Sequence, residues 1–286
     1  MKIFKTVEEW NLERHSLQGT PINFVPTMGA LHSGHLSLVK HAKRSQGYVV
    51  VSIFVNPTQF NNSEDFEKYP STIQQDIALL QQEKCHALFL PSIQEVYPNG
   101  TAIQQPIDFG FLARTLEGEF RPGHFAGMAQ VVERLLQIIQ PQKLFMGLKD
   151  YQQALIVEEL IKRRNLNVEL IKCATKREAD GLAMSSRNVR LDKNAREVAV
   201  QLSKTLFYIK RKIQMLRKAN NPEPLQSVME KAKLKLAEFS EIHLEYLEVR
   251  NAKTLQPVSN ISERELVALV AANIGGVRLI DNVLIP

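Results

Sequence analysis

The sequence predicts an α/β protein: a domain on a mostly parallel sheet over residues 1–174, then a smaller α+β domain over residues 175–286. Three observations predict it. In the first half, short apolar runs alternate with helical periodicity, the pattern of successive βαβ units. After about residue 174 the order changes to helices followed by a run of strands. The 286 residues are 44% hydrophobic and 23% charged, an ordinary globular composition on a chain long enough for two cores.

The elements follow in order. Ile22–Val25 reads as the first strand and 34–46 as the helix after it. Tyr48–Val55, Ala87–Leu90, Lys143–Met146 and Val168–Cys173 are further strands, with helices at 71–84, 127–139 and 151–164 between them. Over 127–139, Met128, Val131, Val132, Leu135, Ile138 and Ile139 recur at three- and four-residue spacing and build one apolar face. Pro141 stops that helix. A loop of small and polar residues, Ala179–Asn188, leads into a long Lys/Arg-bearing helix from about 193 to 218. Asn220, Asn221 and Pro222 break it, a second helix runs to about 238, and strands at His243–Val249, Glu265–Ala271 and Arg278–Ile280 complete the domain.

Composition excludes several classes. The longest apolar run, Tyr48–Val55, falls far short of the roughly 18 residues of a spanning helix. The N-terminus has no apolar leader core, and its Glu8-Glu9 pair does not suit a transit peptide. Cys85 and Cys173 lie far apart without metal-ligand spacing, so neither a disulfide framework nor a zinc cluster is expected, and a cytoplasmic setting is. The net charge of +6 invites a nucleic-acid reading. However, 11 Lys+Arg against 5 Asp+Glu fall between Asp192 and Ser240, leaving 25 of each elsewhere, so no domain-wide basic field exists.

The most informative stretch is Phe24 to His35, which runs off the first strand into the first helix as Pro26-Thr27-Met28-Gly29-Ala30-Leu31-His32-Ser33-Gly34-His35. Two histidines three apart with Gly34 between them fall on one turn, where free N–H groups and the positive dipole end suit phosphates. A capped helix with solvent-facing histidines would share the His-x-x-His spacing; the glycine and the preceding strand favour the phosphate site. Lys149 follows the Lys143–Met146 strand and so lies at a carboxyl edge, where open α/β sheets bind ligands. Neither a dinucleotide glycine fingerprint nor a P-loop occurs.

His32-Ser33-Gly34-His35 resembles the His-x-Gly-His signature of the nucleotidyltransferase superfamily, and Met184-Ser185-Ser186-Arg187 resembles its second, phosphate-closing loop. Together with Ser52–Phe60, Arg121–Phe125, Lys149–Gln153 and Arg177–Asn188, these segments are similar to the pantoate–β-alanine ligase family in order and spacing over roughly residues 21–190. The resemblance implies a Rossmann-like first domain and a second domain that closes as a lid. It implies a two-step ligation: pantoate and ATP give pantoyl adenylate and pyrophosphate, and the β-alanine amine then attacks the acyl carbon to give pantothenate and AMP.

The same resemblance implies the residues. His35, His32 and Lys149 are the catalytic groups, His35 as a proton donor or, equally, as a stabiliser of charge. ATP would lie against Met28, Gly29, Ala30, Leu31, His32, Ser33, Gly34 and His35, against Gly147, Leu148, Lys149 and Asp150, and against Lys176, Met184, Ser185, Ser186 and Arg187. Gln59 and Gln153 would read pantoate, and an amide there leaves the attacking carboxylate unpaired by a cation. Asn56 would either support that pocket or serve only its turn. Thr58, Leu148 and Lys176 depart from the family pattern, and Leu148 removes a glutamate side chain. No protein metal site is expected; Mg²⁺ would ride on the ATP phosphates. A homodimer is implied, with no nucleic-acid or membrane partner. A different adenylyl transfer, or an RNA-binding protein using the basic helices, are the competing readings.

Overall fold

The computed structural model describes residues 1–286 except 61–65, 68, 104, 220–223 and 263–264; the expected break at Asn220–Pro222 lies outside the described residues. It forms two compact units, Met1–Leu148 with Gln152–Ala174, and Lys149–Tyr151 with Thr175–Pro286.

The first unit carries a sheet of six parallel strands: β1 (Lys2–Phe4), β2 (Ile22–Thr27), β3 (Tyr48–Ile53), β4 (Ala87–Phe89), β5 (Lys143–Gly147) and β6 (Glu169–Cys173), in the order β1-β4-β3-β2-β5-β6. Its helices are α1 (Val7–Ser16), α2 (Ser33–Arg44), α3 (Ile73–Gln82), α4 (Ile93–Val96), α5 (Phe111–Arg114), α6 (Glu117–Phe120), α7 (His124–Ile139) and α8 (Tyr151–Arg163), the last beginning on the residue that clusters with the second unit. The central strands are buried on both faces, which explains their unbroken apolar runs. Phe24, Val50, Leu144 and Met146 point to a core under α7 and α8; Val25, Val49, Val51 and Phe145 point to one under α2 and α3. Strand order reverses between β2 and β5, both of whose neighbours run parallel to them, so a ligand crevice belongs at their carboxyl ends.

Two elements precede the strand read as the first. β1 pairs with β4 at the sheet edge, and α1 begins at a capping box in which Thr6 and Glu9 bond each other's backbone. The helix is nearly all polar, which hid it; its one buried residue, Trp10, donates its indole N–H to the Ile138 carbonyl at 3.1 Å.

The second unit packs α9 (Lys193–Ala219) and α10 (Leu225–Ala237) on an antiparallel sheet of β7 (Ile242–Asn251), β8 (Leu266–Ile274) and β9 (Val277–Ile285). Val198, Leu202, Leu206, Ile209 and Ile213 form the buried stripe of α9, while Lys204, Arg211 and Lys218 stand exposed. The last strand is three times longer than the sequence pattern suggests, because Asp281 and Asn282 interrupt its apolar alternation yet are buried.

Candidate active site

The loop from β2 to α2 is fixed from below. Gly29 and Ala30 both take left-handed backbone, φ +82° and +47°, and a Cβ on Gly29 would come within 3.0 Å of Ile53 and 3.1 Å of the Asp76 carboxylate. Asp76, on the core face of α3 and only 1% exposed, accepts the amides of Ala30 at 2.9 Å and Leu31 at 2.8 Å and the Thr72 hydroxyl at 3.0 Å. Three donors let a carboxylate remain buried there. A cavity of about 230 Å³ opens beside Met28, Gly29 and Ala30 against Thr72 and Asp76.

The start of α2 is capped by imidazoles. His32 is the N-cap, and its Nδ1 accepts the Gly34 amide at 3.1 Å; His35 sits three residues on, and its Nδ1 accepts the His32 amide at 3.4 Å. The two rings lie with centroids 4.1 Å apart. The backbone N–H groups expected to be open to phosphate thus have internal partners at Ala30, Leu31, His32 and Gly34.

The amide half of the site lies beside it. Asn56 ends the chain's run from β3 and caps the 3-10 turn Pro57–Gln59. It is buried and fully engaged: its Nδ2 donates to the Gly127 carbonyl at 3.2 Å and to Gln59 Oε1 at 3.3 Å, and its Oδ1 accepts Thr58 and the Tyr97 hydroxyl at 3.0 Å. Of the two readings of Asn56, the structure supports the brace. Burial pushes the Tyr97 hydroxyl up to about 12, so it is a donor throughout the neutral range. Gln59 Nε2 reaches Met28 Sδ at 2.8 Å, joining this turn to the loop between β2 and α2. Thr58 bonds Asn56 and Gly127.

Gly127 explains how α7 reaches this turn. A Cβ there would fall 2.0 Å from the Thr58 carbonyl oxygen, so only glycine admits the approach. Next to it His124, buried at the first turn of α7, donates from Nδ1 to the Gln59 carbonyl at 2.9 Å; its Nε2 accepts from Arg121 at 3.2 Å. At the start of α8, Gln152 is buried and ties α5 and α6 down, accepting the Glu117 amide and donating to the Leu112 and Thr115 carbonyls. Gln153, one position round the helix, is half-buried.

The second unit holds the remaining groups. The 3-10 turn Leu148–Asp150 follows β5 from Gly147. Asn282 donates to the Lys149 carbonyl at 2.8 Å, Tyr151 donates to the Ala252 carbonyl at 2.8 Å, and Lys149 Nζ lies 3.4 Å from Asp150. Asn282 is backed by a buried pair in which Arg177 grips Asp281 with both guanidinium nitrogens, at 2.6 and 2.9 Å. Burial pushes the Asp281 carboxyl up while Arg177 pulls it back. Lys176 accepts the Met184 amide on its carbonyl, Ser185 caps the turn Ser186–Arg190 through the Arg187 amide, and Arg196 pairs with Glu178 and Asp180 behind the loop.

The structure therefore gathers Met28 to His35 with Asn56 and Gln59 in one unit, and Lys149, Asp150, Lys176 and Met184 to Arg187 in the other. Asp76, Gly127 and Asn282 were missed. An acid at a position where α3 otherwise turns apolar side chains inward was the available signal for Asp76; no sequence signal marks the other two. Among the described residues no group of three or more His, Cys, Asp or Glu could hold a metal ion, and no helix is long and apolar enough to cross a membrane.

The family model for pantoate-beta-alanine ligase matches residues 2–284. A pantothenate synthetase of Cytophaga hutchinsonii is 43% identical over 92% of this chain and 91% of its own, and one of Thermotoga petrophila is 40% identical over the full length of both. The crystal structure of pantothenate synthetase from Thermus thermophilus superposes with a TM-score of 0.90 at 38% identity, covering 99% of each chain. A pantoate-beta-alanine ligase from Francisella tularensis, complexed with beta-gamma ATP and beta-alanine, gives 0.78 at 38% identity over 99% of this chain and 97% of its own.

Proposed function

Because the chain belongs to the pantoate–β-alanine ligase family, we propose that it condenses pantoate with β-alanine, using ATP and passing through pantoyl adenylate. A pantoate carboxylate oxygen bonds the α-phosphorus, the bond to the bridging oxygen breaks, and pyrophosphate leaves with that electron pair. The β-alanine amine then bonds the acyl carbon, the C–O bond to AMP breaks, and the amine loses a proton.

The observation that carries this reading is the Gln59–Met28 contact at 2.8 Å, which sets a neutral amide suited to a hydroxy acid against the loop suited to a nucleotide. Gln59 and Gln153 hold pantoate, and Asn56 orients Gln59 rather than reading the substrate. Met28 to Leu31, Ser33, Gly34, Gly147, Leu148, Asp150, Lys176 and Met184 line ATP. His32, His35, Lys149, Ser185, Ser186 and Arg187 take its phosphates, where preorganised donors contribute most. Mg²⁺ would enter as part of the nucleotide, carried on its phosphates. A homodimer in the cytoplasm completes the reading, and light scattering on the purified chain tests the dimer.

The function is tested by pyrophosphate release with pantoate against other small acids. Pantoate-dependent release followed by β-alanine-dependent AMP formation is expected; release that ignores pantoate would overturn the reading. The neutrality of the acid pocket is tested in single-turnover adenylate formation. Gln59→Lys is expected to be slower than Gln59→Met, because a cation on the carboxylate withdraws its nucleophilicity; a faster lysine variant would contradict it.

A further inference from the structure

We propose that two neighbouring residues of β9, Asp281 and Asn282, position the phosphate-binding groups of the second unit. Asn282 holds the turn that carries Lys149; Asp281, through Arg177, holds the base of the loop that carries Ser185, Ser186 and Arg187. This rests on the phosphate roles proposed above for Lys149 and that loop, and adds what sets their relative placement. Asp281, Asn282 and Arg177 are positioning residues that act through those groups.

Successive residues of a strand point to opposite faces of its sheet, and this pair uses both. Val277, Leu279, Val283 and Ile285 join the core under α9, so Asp281 falls on that face and Asn282 on the other. On the α9 face Asp281 is buried, and Arg177 grips its two carboxylate oxygens at 2.6 and 2.9 Å. The same guanidinium donates to the Gly181 carbonyl at 3.0 Å and to the Asn282 carbonyl at 3.1 Å, and lies 5.0 Å from the centre of the Phe207 ring on α9. On the opposite face Leu284 is exposed, yet Asn282 is buried. There its side-chain amide donates to the Lys149 carbonyl at 2.8 Å, in the segment Lys149–Tyr151 that belongs with this unit.

From Arg177 the hold passes along the loop by backbone contacts. Arg177 bridges to Ala183 across an antiparallel pair, and the Met184 amide donates to the Lys176 carbonyl at 3.0 Å. Ser185 then caps the turn Ser186–Arg190, which itself packs on β9. The Lys149 turn and the phosphate loop are thus both tied to one two-residue step of a strand, whose own place is fixed by pairing with Leu269 and Val270 of β8. Stability alone does not account for the buried pair. An ion pair there costs its desolvation, and apolar residues of similar size often equal or exceed it in stability. Leu279 and Val283 show that this face of β9 takes apolar side chains. What the bidentate fork adds is a fixed angle and distance. Cations aimed at one polyphosphate repel each other before it binds, and a misplacement of about 1 Å can cost about 10²-fold in rate, so their backbone has to be held.

Titration of ATP into the full-length chain tests this, and because pantoate is absent the result stands apart from the choice of acid substrate. Lys149→Ala and Asn282→Ala are each expected to weaken ATP binding by about tenfold, and the double variant to bind no more weakly than Lys149→Ala alone, since Asn282 acts through Lys149. Asn282→Ser, whose hydroxyl stops short of the carbonyl, should behave as Asn282→Ala. Native affinity in Asn282→Ala, or a full further loss in the Lys149→Ala background, would overturn the proposal. On the other face, Arg177→Met combined with Asp281→Leu removes the pair without leaving a buried charge, so the melting temperature should hold. ATP binding should nevertheless weaken by about tenfold, with little further loss on adding Arg187→Ala. If that variant does not fold, Arg177→Lys, which keeps the charge and loses the fork, takes its place. Native ATP affinity in either would overturn the proposal. Unchanged affinity in Lys149→Ala would instead reject the phosphate role of Lys149, and the proposal with it.

Discussion

Two histidine sites in the first unit use opposite faces of the same ring. At the start of α2, His32 and His35 accept backbone amides on Nδ1. At the start of α7, His124 donates Nδ1–H to the Gln59 carbonyl and accepts Arg121 on Nε2, so both nitrogens are committed within the fold. The first pair belongs to the proposed nucleotide site; His124 holds the carbonyl of Gln59, the proposed pantoate reader. The same residue type at the start of a helix thus accepts through Nδ1 in one case and donates through it in the other.

The comparison can be broken at several points. His35→Ala removes one of the imidazoles proposed to take the ATP phosphates and should cost about 3–4 kcal/mol of transition-state stabilisation with little change in melting temperature. A large loss of stability instead would make His35 a capping residue only. Gly127→Ala forces a methyl within 2.0 Å of the Thr58 carbonyl, so α7 must move off the Pro57–Gln59 turn. Chemical denaturation should record a loss of about 2–3 kcal/mol, accompanied by weaker pantoate binding. His124→Ala should cost about 1 kcal/mol of stability and raise the pantoate KM, through Gln59 alone. His124→Asn, whose amide nitrogen falls near Nδ1, should recover the pantoate KM, whereas His124→Gln should not.

The smallest effect belongs to a fourth histidine. His86 accepts the Val49 amide on Nδ1 at 2.9 Å, and burial, with Lys43 and the N-terminus, holds its pKa below the ordinary value of 6.5. Because the folded state resists the proton, its contribution is intact above that ordinary value and is lost as pH falls through the depressed one. Denaturation from pH 7 downward should show this loss in the native chain and a smaller one in His86→Gln. Equal pH dependence in both would remove His86 from the account.

How much of this was legible follows from where the partners sit in sequence. The strand, glycines and histidines of residues 24–35 are contiguous, so the turn, its helix and its chemistry could be read directly. The capping of α2 by the histidines themselves was not read, because histidine is an unusual cap. Asp76 lies 45 and 46 residues from the amides it accepts, and His124 lies 65 from the carbonyl it holds. No local pattern records such contacts. The sequence likewise assigned Asn56 two roles, and only its four hydrogen-bond partners distinguish them. Lys149 followed a strand of the first domain, yet its carbonyl is held by Asn282 at the far end of the chain, a pairing that only β9 makes available.

The most direct test of this division is the pantoate dependence of ATP–pyrophosphate exchange in His35→Ala and His124→Ala. His35→Ala should lose maximal rate by roughly 10²–10³-fold with the pantoate KM unchanged, and His124→Ala should raise that KM with the maximal rate retained. The same kinetic pattern in both variants would contradict the account.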